Sequence, residues 1–74
     1  MRVIIGGAGR VGIALARALA DEKYDIVIVD NDSRAVTNAQ ALDCLVVNGN
    51  ITSREVLLEA GITYASVFVA ATPS

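Results

Sequence analysis

Four short runs rich in β-branched residues punctuate the chain: Arg2–Gly6 (RVIIG), Asp25–Asp30 (DIVIVD), Cys44–Asn48 (CLVVN) and Ala65–Ala71 (ASVFVAA). The segments between them have helical spacing. No other feature constrains the fold as tightly. The runs are apolar almost throughout rather than alternating, as strands buried on both faces are, and strict alternation of strand with helix is the pattern of a parallel sheet covered on both sides. Right-handed crossovers then give the spatial order 3-2-1-4. A chain that is 54% hydrophobic and 19% charged has the apolar content for such a layered core.

The intervening segments carry their own signals. From Arg10 to about Glu22, Val11, Leu15, Ala18 and Leu19 form an apolar stripe. Gly12, Ala16 and Ala20 form a second stripe of small residues, which suits a helix lying close on a sheet. Asn31–Leu42 (NDSRAVTNAQAL) reads as a weaker helix with Asp32 as N-cap and Ala35, Val36 and Ala39 as its apolar face. In Ile51–Gly61 (ITSREVLLEAG), Thr52 and Glu55 have the spacing of a capping box, and Gly61 suits the C-cap.

Between the first strand and the first helix stand Gly6, Gly7, Gly9 and Gly12, and Gly7-Ala8-Gly9-Arg10-Val11-Gly12 matches G-x-G-x-x-G. After a strand and before a helix, that spacing is the dinucleotide-binding fingerprint. Gly7 makes the tight turn, Gly9 leaves room for a pyrophosphate against the backbone, and Gly12 lets helix pack on strand. The helix N-terminus then offers free amides and partial positive charge to phosphates. Gly6 is left as a packing glycine. Asp30, 18 positions past Gly12, ends the second strand. It is either a turn residue or an acceptor for the ribose hydroxyls. In the second role it repels a 2′-phosphate and favours NAD over NADP. Arg10 either leans over the pyrophosphate or is a solvated first-turn side chain. Arg34 has the chemistry to pair with a phosphate, but Asp30 and Asp32 argue against that pairing. These features make the fold class α/β: a Rossmann-like three-layer α/β/α half-domain that ends after its fourth strand.

The loop Gly49-Asn50-Ile51-Thr52 follows the third strand. It is either a plain turn with Thr52 as N-cap, or an adenine-side contact with the Asn50 amide on the base edge and Ile51 on the ring. Ala70, Ala71 and Thr72 fall beside the phosphate loop, where the strand order switches and ligands bind. Pro73 suits a helix start.

Several functions fall away. With six Lys and Arg against eight Asp and Glu, net charge −2, the chain lacks the basic footprint of a nucleic-acid binder. The run Ala65–Ala71 is far shorter than the ~20 residues of a membrane span. Arg10 and Arg17 interrupt the N-terminal apolar stretch, so it does not read as a signal peptide. The expectation is a soluble cytoplasmic protein without direct membrane insertion. There is no histidine and one cysteine, Cys44, which removes Ser-His-Asp chemistry, the common zinc sites and any internal disulfide. Neither Tyr24 nor Tyr64 has a lysine four positions later. The sequence supplies no catalytic or metal-ligating set.

Taken in order, VIIGGAGRVGIALARAL, DIVIVDNDSRAV, CLVVNGNIT, LLEAGI and ASVFVAAT resemble the N-terminal nucleotide-binding domain of Trk-type potassium-uptake regulators (TrkA-N, also called KTN, or RCK in potassium channels). The resemblance covers nearly all of residues 1–74 and makes them the N-terminal half of such a domain. It departs at Asn50, where the family usually has aspartate. It implies a non-enzymatic module that binds NAD(H), or ATP or ADP in its place, and assembles as a dimer or larger ring. The module would lie on the cytoplasmic side of a membrane potassium transporter or channel subunit. Carried residue by residue, it places phosphates at Gly7, Gly9, Arg10 and Gly12 and the ribose at Asp30; Ala8, Val11, Asn31 and Arg34 are counted with them as cofactor-binding candidates. The adenine side falls at Asn50, Ile51 and Thr52, and the switch point at Ala71 and Thr72. The competing readings are a cofactor-binding fragment of an NAD-dependent oxidoreductase and a scaffold that binds nothing. The fourth strand, SVFVAA, is expected at an open sheet edge, which invites pairing between copies.

Overall fold

The computed structural model describes residues 1–42 and 44–71; the expectations for Thr72 and Pro73 lie outside the described residues. The elements are β1 (Arg2–Gly6), α1 (Arg10–Asp21), β2 (Asp25–Asp30), α2 (Ser33–Ala39), β3 (Leu45–Asn48), α3 (Arg54–Ala60), a single 3-10 turn (Ile62–Tyr64) and β4 (Ala65–Ala70). The four strands form one parallel sheet in the order β3-β2-β1-β4. This is the Rossmann-like half-fold the alternation predicts. Gly6 pairs with Val29 on one side and Ala70 on the other, and Asp30 pairs with Asn48. The carboxyl ends of the strands therefore meet along one edge of the sheet.

Alternate strand residues feed two cores. Val3, Ile5, Ile26 and Ile28 face α1 and α2, where Ala8, Ala16 and Ala39 complete a buried cluster. Ile4, Val27, Val29 and Val47 face the other way, onto Ala60 of α3. Each fully buried aliphatic side chain contributes about 1.5–3 kcal/mol, so β1 and β2, sealed on both faces, anchor the fold.

Helix α1 corrects one expectation. Gly12 and Ala16 are buried, and Leu15 and Leu19 pack at the margin, but Val11 is 68% exposed and Ala18 faces solvent. A Cβ on Gly12 would collide with the Gly7 carbonyl. That close approach fixes the rotation of the helix, and position 11, about 100° round the axis, turns outward. The small-residue stripe, not the larger one through Val11, is the contact face.

Four helix ends also bear on the sequence reading. The capping box at Thr52 and Glu55 does not form. Asn50 Oδ1 accepts both the Thr52 amide (2.8 Å) and the Thr52 hydroxyl (2.7 Å), which ties Thr52 back into the loop. Ser53 becomes the N-cap instead, accepting from the Val56 amide at 3.4 Å. Asp32 caps α2 as expected, through the Arg34 amide. Gly61 ends α3 in the left-handed conformation (φ 85°) as expected. At the end of α1, Lys23 adopts φ 64°, with its amide on the Ala20 carbonyl and the Tyr24 amide on the Leu19 carbonyl, a Schellman ending on a non-glycine residue.

Candidate functional site

The loop between β1 and α1 stands at the middle of the carboxyl edge. Gly7 has φ 126°, open to glycine alone, and its amide donates to the Val29 carbonyl at 2.8 Å, extending the sheet pairing past β1. The Ala8 amide donates to Asp30 Oδ2 at 2.7 Å. The first two amides of the loop are thus engaged inside the protein. The next ones are not. The amides of Gly9, Arg10, Val11 and Gly12 find no acceptor among the described residues, and no side chain caps the start of α1.

Gly9 differs from its neighbours. Its backbone is extended (φ −76°, ψ −166°), which any residue adopts, and a Cβ there would meet nothing within 4 Å. Neither the turn nor the packing requires glycine at this position. Gly6 is the packing glycine expected: a Cβ would run into the Ile51 side chain. Gly12 is buried beneath Gly7, so its glycine serves the approach of helix to strand.

Asp30 closes β2 with both carboxylate oxygens in use. Oδ2 accepts from Ala8, and Oδ1 accepts from the Asp32 amide at 2.9 Å. It lines a recess of about 60 Å³ together with Gly7, Val29, Asn31, Asn50 and Ile51. The recess has the volume of about two water molecules, at ~30 Å³ each. Ile51 forms part of its wall while also packing on the α3-side core. The Asn50 side-chain carbonyl is committed to Thr52, which leaves its amide group as the free end.

A family model for the TrkA-N domain matches residues 3–74. The chain belongs to the TrkA-N family. Among curated relatives, a Trk system potassium uptake protein TrkA homolog of Methanothermobacter thermautotrophicus is 45% identical over 73 residues, 97% of this chain and 34% of the relative. The homolog from Archaeoglobus fulgidus is 40% identical over 72 residues, 97% of this chain and 16% of the relative. The Trk system potassium uptake protein TrkA of Haemophilus influenzae is 44% identical over 75 residues, 100% of this chain and 16% of the relative. The chain spans between a sixth and a third of the length of these relatives.

In this TrkA-N chain most of the residues singled out by sequence line one of two recesses, and Asp30 belongs to the small one. Asp30, Asn31, Asn50, Ile51 and Gly7 surround the small one. Ala8, Gly9, Arg10 and Arg34 line a second, open groove of about 680 Å³ between α1 and α2. Val11, Gly12, Thr52 and Ala71 border neither. Ala71 is tied to the loop by its amide, which donates to the Gly6 carbonyl at 2.8 Å. The sequence reading passed over Ile13, Arg17, Thr37 and Asn38, which also line the groove. Arg17 lies seven positions after Arg10, the two-turn spacing that brings both to one side of a helix, and that spacing was the available signal. Among the described residues no cluster of His, Cys, Asp and Glu could hold a metal, and no helix is long and apolar enough to cross a membrane.

Proposed function

We propose that this chain is the nucleotide-sensing part of a potassium-uptake regulator, that it binds NAD(H), and that it performs no chemistry on it. The observation that carries the reading is Gly9. It is a glycine without an internal structural reason, beside a helix start whose amides lack acceptors and across the loop from the Asp30 carboxylate. A diphosphate needs close approach to backbone, unpaired amides and positive charge, and all three converge there. The residues present fit the group. Gly9 and the amides of Arg10 and Val11 would hold the pyrophosphate, with the Arg10 side chain adding charge. Asp30 would accept from the ribose, and the Asn50 amide and Ile51 would serve the base. The cofactor supplies redox-state information rather than a reaction in this reading.

The names of the relatives support a role in potassium uptake. A ligand bound across the β1–α1 loop and the ends of β2 and β3 adds a further tie between elements already joined by the Asp30 carboxylate and the Gly7 amide. A difference in affinity between two assembly states then biases the assembly. A membrane transporter or channel subunit is the partner in this reading, and self-association of the chain through β4 belongs to it. ATP or ADP would use the same phosphate and ribose contacts.

The test is a calorimetric titration of the chain with NADH, NAD, ATP and ADP, repeated with Gly9→Ala. The expected result is nucleotide binding that weakens at least tenfold in the variant while the melting temperature holds. Equal binding by the wild-type chain and the variant, or none by the wild type, overturns the reading.

A further inference from the structure

Arg10, Ile13 and Arg17 occupy the i, i+3 and i+7 positions of one face of α1, and all three line the groove of about 680 Å³ between α1 and α2. On the opposite wall, Arg34 and Asn38 stand one turn apart on α2, with Ala41 just beyond its end. Three of the six basic side chains thus gather on one groove, in a protein of net charge −2. All three arginines are exposed, and Ile13 is half-buried between the two on α1. The ion pair among the described residues is elsewhere, between Arg2 and Asp25 at 2.8 Å. The carboxylate on the groove wall, Asp32, has its Oδ1 on the Arg34 amide at 3.0 Å, where it caps α2.

Spacing decides what such a groove accepts. Arg10 and Arg17 are seven residues apart, about 10.5 Å along α1 at 1.5 Å per residue, a separation suited to two anions rather than one. Between those anions an apolar group must meet Ile13. A helix with carboxylates at i and i+7 and an aliphatic side chain at i+3 or i+4 has that order at the same rise, and recognition of a helix in a groove uses those positions. Single-stranded nucleic acid fits poorly. No aromatic residue lines the groove for bases to stack on, and the chain is acidic overall. A lipid surface also fits poorly, because the arginines flank a concave groove whose one large apolar side chain is half-buried. A second copy of this chain offers Glu55 and Glu59 on α3, about 6 Å apart at 1.5 Å per residue with Arg54 beside them, which does not match the two stations on α1.

We propose that the α1–α2 groove is a docking surface for an acidic helical segment of a partner protein, one that carries two carboxylates two turns apart with an aliphatic residue between them. Arg10 and Arg17 take the carboxylates as guanidinium–carboxylate pairs, Ile13 and Ala35 take the aliphatic side chain, and Arg34 adds charge from α2. Exposed ion pairs are individually weak, so the affinity is modest and falls with salt, and the charges chiefly set register and choice of partner. The inference goes beyond the nucleotide reading and does not depend on it. Arg17 stands two turns along α1 from the β1–α1 loop that carries that reading.

The experiment titrates the full chain, without nucleotide, against a fluorescent alanine-based helical peptide with glutamate, leucine and glutamate at i, i+3 and i+7. A control peptide has glutamine for both glutamates, and two further peptides each exchange one glutamate for lysine. The expected result is binding of the acidic peptide that weakens about tenfold in Arg17→Glu, or about 1.4 kcal/mol, weakens less in Arg17→Ala, and falls with added salt. One of the lysine peptides should bind Arg17→Glu better than it binds the wild-type chain, a reversal that a merely structural role of Arg17 would not produce. Position 17 is exposed, and circular dichroism melts check that both variants fold. No binding of the acidic peptide, equal binding of the glutamine peptide, or indifference to Arg17→Glu overturns the inference and leaves the nucleotide reading standing. Vesicles of phosphatidylserine and phosphatidylcholine, and sedimentation of the chain alone, complete the set. Vesicle binding that Arg17→Glu loses, without peptide binding, gives the groove to a lipid surface. Self-association that Arg17→Glu loses, without peptide binding, gives it to a second copy. Either result overturns the acidic partner.

Discussion

The Asp30 carboxylate accepts the Ala8 amide at 2.7 Å, so the last residue of β2 latches the loop that leaves β1. With Oδ1 on the Asp32 amide, one side chain organises both loops at the carboxyl edge. A residue read from sequence as a ligand contact is also a structural tie. Asp30→Ala should cost about 1–3 kcal/mol, the penalty for lost hydrogen bonds to a charged acceptor. Asp30→Asn, which keeps one carbonyl acceptor, should cost less. Urea unfolding of the two variants measures this, and a loss under ~0.5 kcal/mol in the alanine variant would remove the latch. Nucleotide binding by Asp30→Ala must therefore be read beside its stability.

Gly9 and Gly12 separate binding from folding more cleanly. A Cβ on Gly12 meets the Gly7 carbonyl, a backbone atom that cannot move without shifting helix or strand. Gly12→Ala should destabilise by about 1–3 kcal/mol. Gly9→Ala places its methyl in open space on an extended backbone. It should leave stability unchanged or raise it by up to ~1 kcal/mol through the unfolded chain. Thermal melts of the pair should differ by several degrees, with Gly12→Ala the lower. Equal melting temperatures would mean that the close approach of α1 to the loop is not held in solution.

Lys23 marks a position where glycine is the better residue. Its φ of 64° satisfies the Schellman ending of α1, with Tyr24 and Leu19 both packed at the margin of the core. The left-handed conformation costs a non-glycine residue about 1–2 kcal/mol. Glycine removes that strain but adds freedom to the unfolded chain, roughly 0.4–1 kcal/mol. Lys23→Gly should therefore stabilise by about 0.5–1 kcal/mol, a rise of several degrees in melting temperature for a domain this small. A lowered melting temperature would show that the strain is absent.

What the sequence made legible follows from how local each signal is. The apolar runs gave strands, order and the two cores, because burial on both faces leaves a mark in every residue of β1 and β2. The rotation of α1 was legible in part: the small-residue stripe through Gly12 and Ala16 marked the close approach to the sheet, whereas Val11 and Ala18 of the apolar stripe turn to solvent, because the meeting of Gly12 with Gly7, a tertiary contact, fixes the helix about its axis. The α3 cap moved from Thr52 to Ser53 because Asn50 captured the threonine hydroxyl, a competition between adjacent polar side chains that spacing alone cannot rank. At the site, the loop and Asp30 were found by motif. The groove's third arginine, Arg17, was not, because it belongs to no motif: its seven-residue spacing puts it on one side of α1 with Arg10, and only the packing of α2 alongside brings in Arg34.

Strand β4 yields the last expectation. It pairs with β1 on one side, and its Val67 and Phe68 remain 41% and 42% exposed. Phe68 is paired in register with Ile4, which is fully buried, so the sheet passes from sealed to open within one strand spacing. An apolar strand with free edge amides and carbonyls is a template for another strand. Two copies of this chain joined at β4 would form one continuous sheet, covering both side chains and pairing the edge. Sedimentation should show a concentration-dependent dimer, and Val67→Lys, which sets a charge on that edge without opening the core, should return it to monomer with little change in melting temperature. A chain that stays monomeric near millimolar concentration, or a Val67→Lys variant that still dimerises, would rule out association through β4.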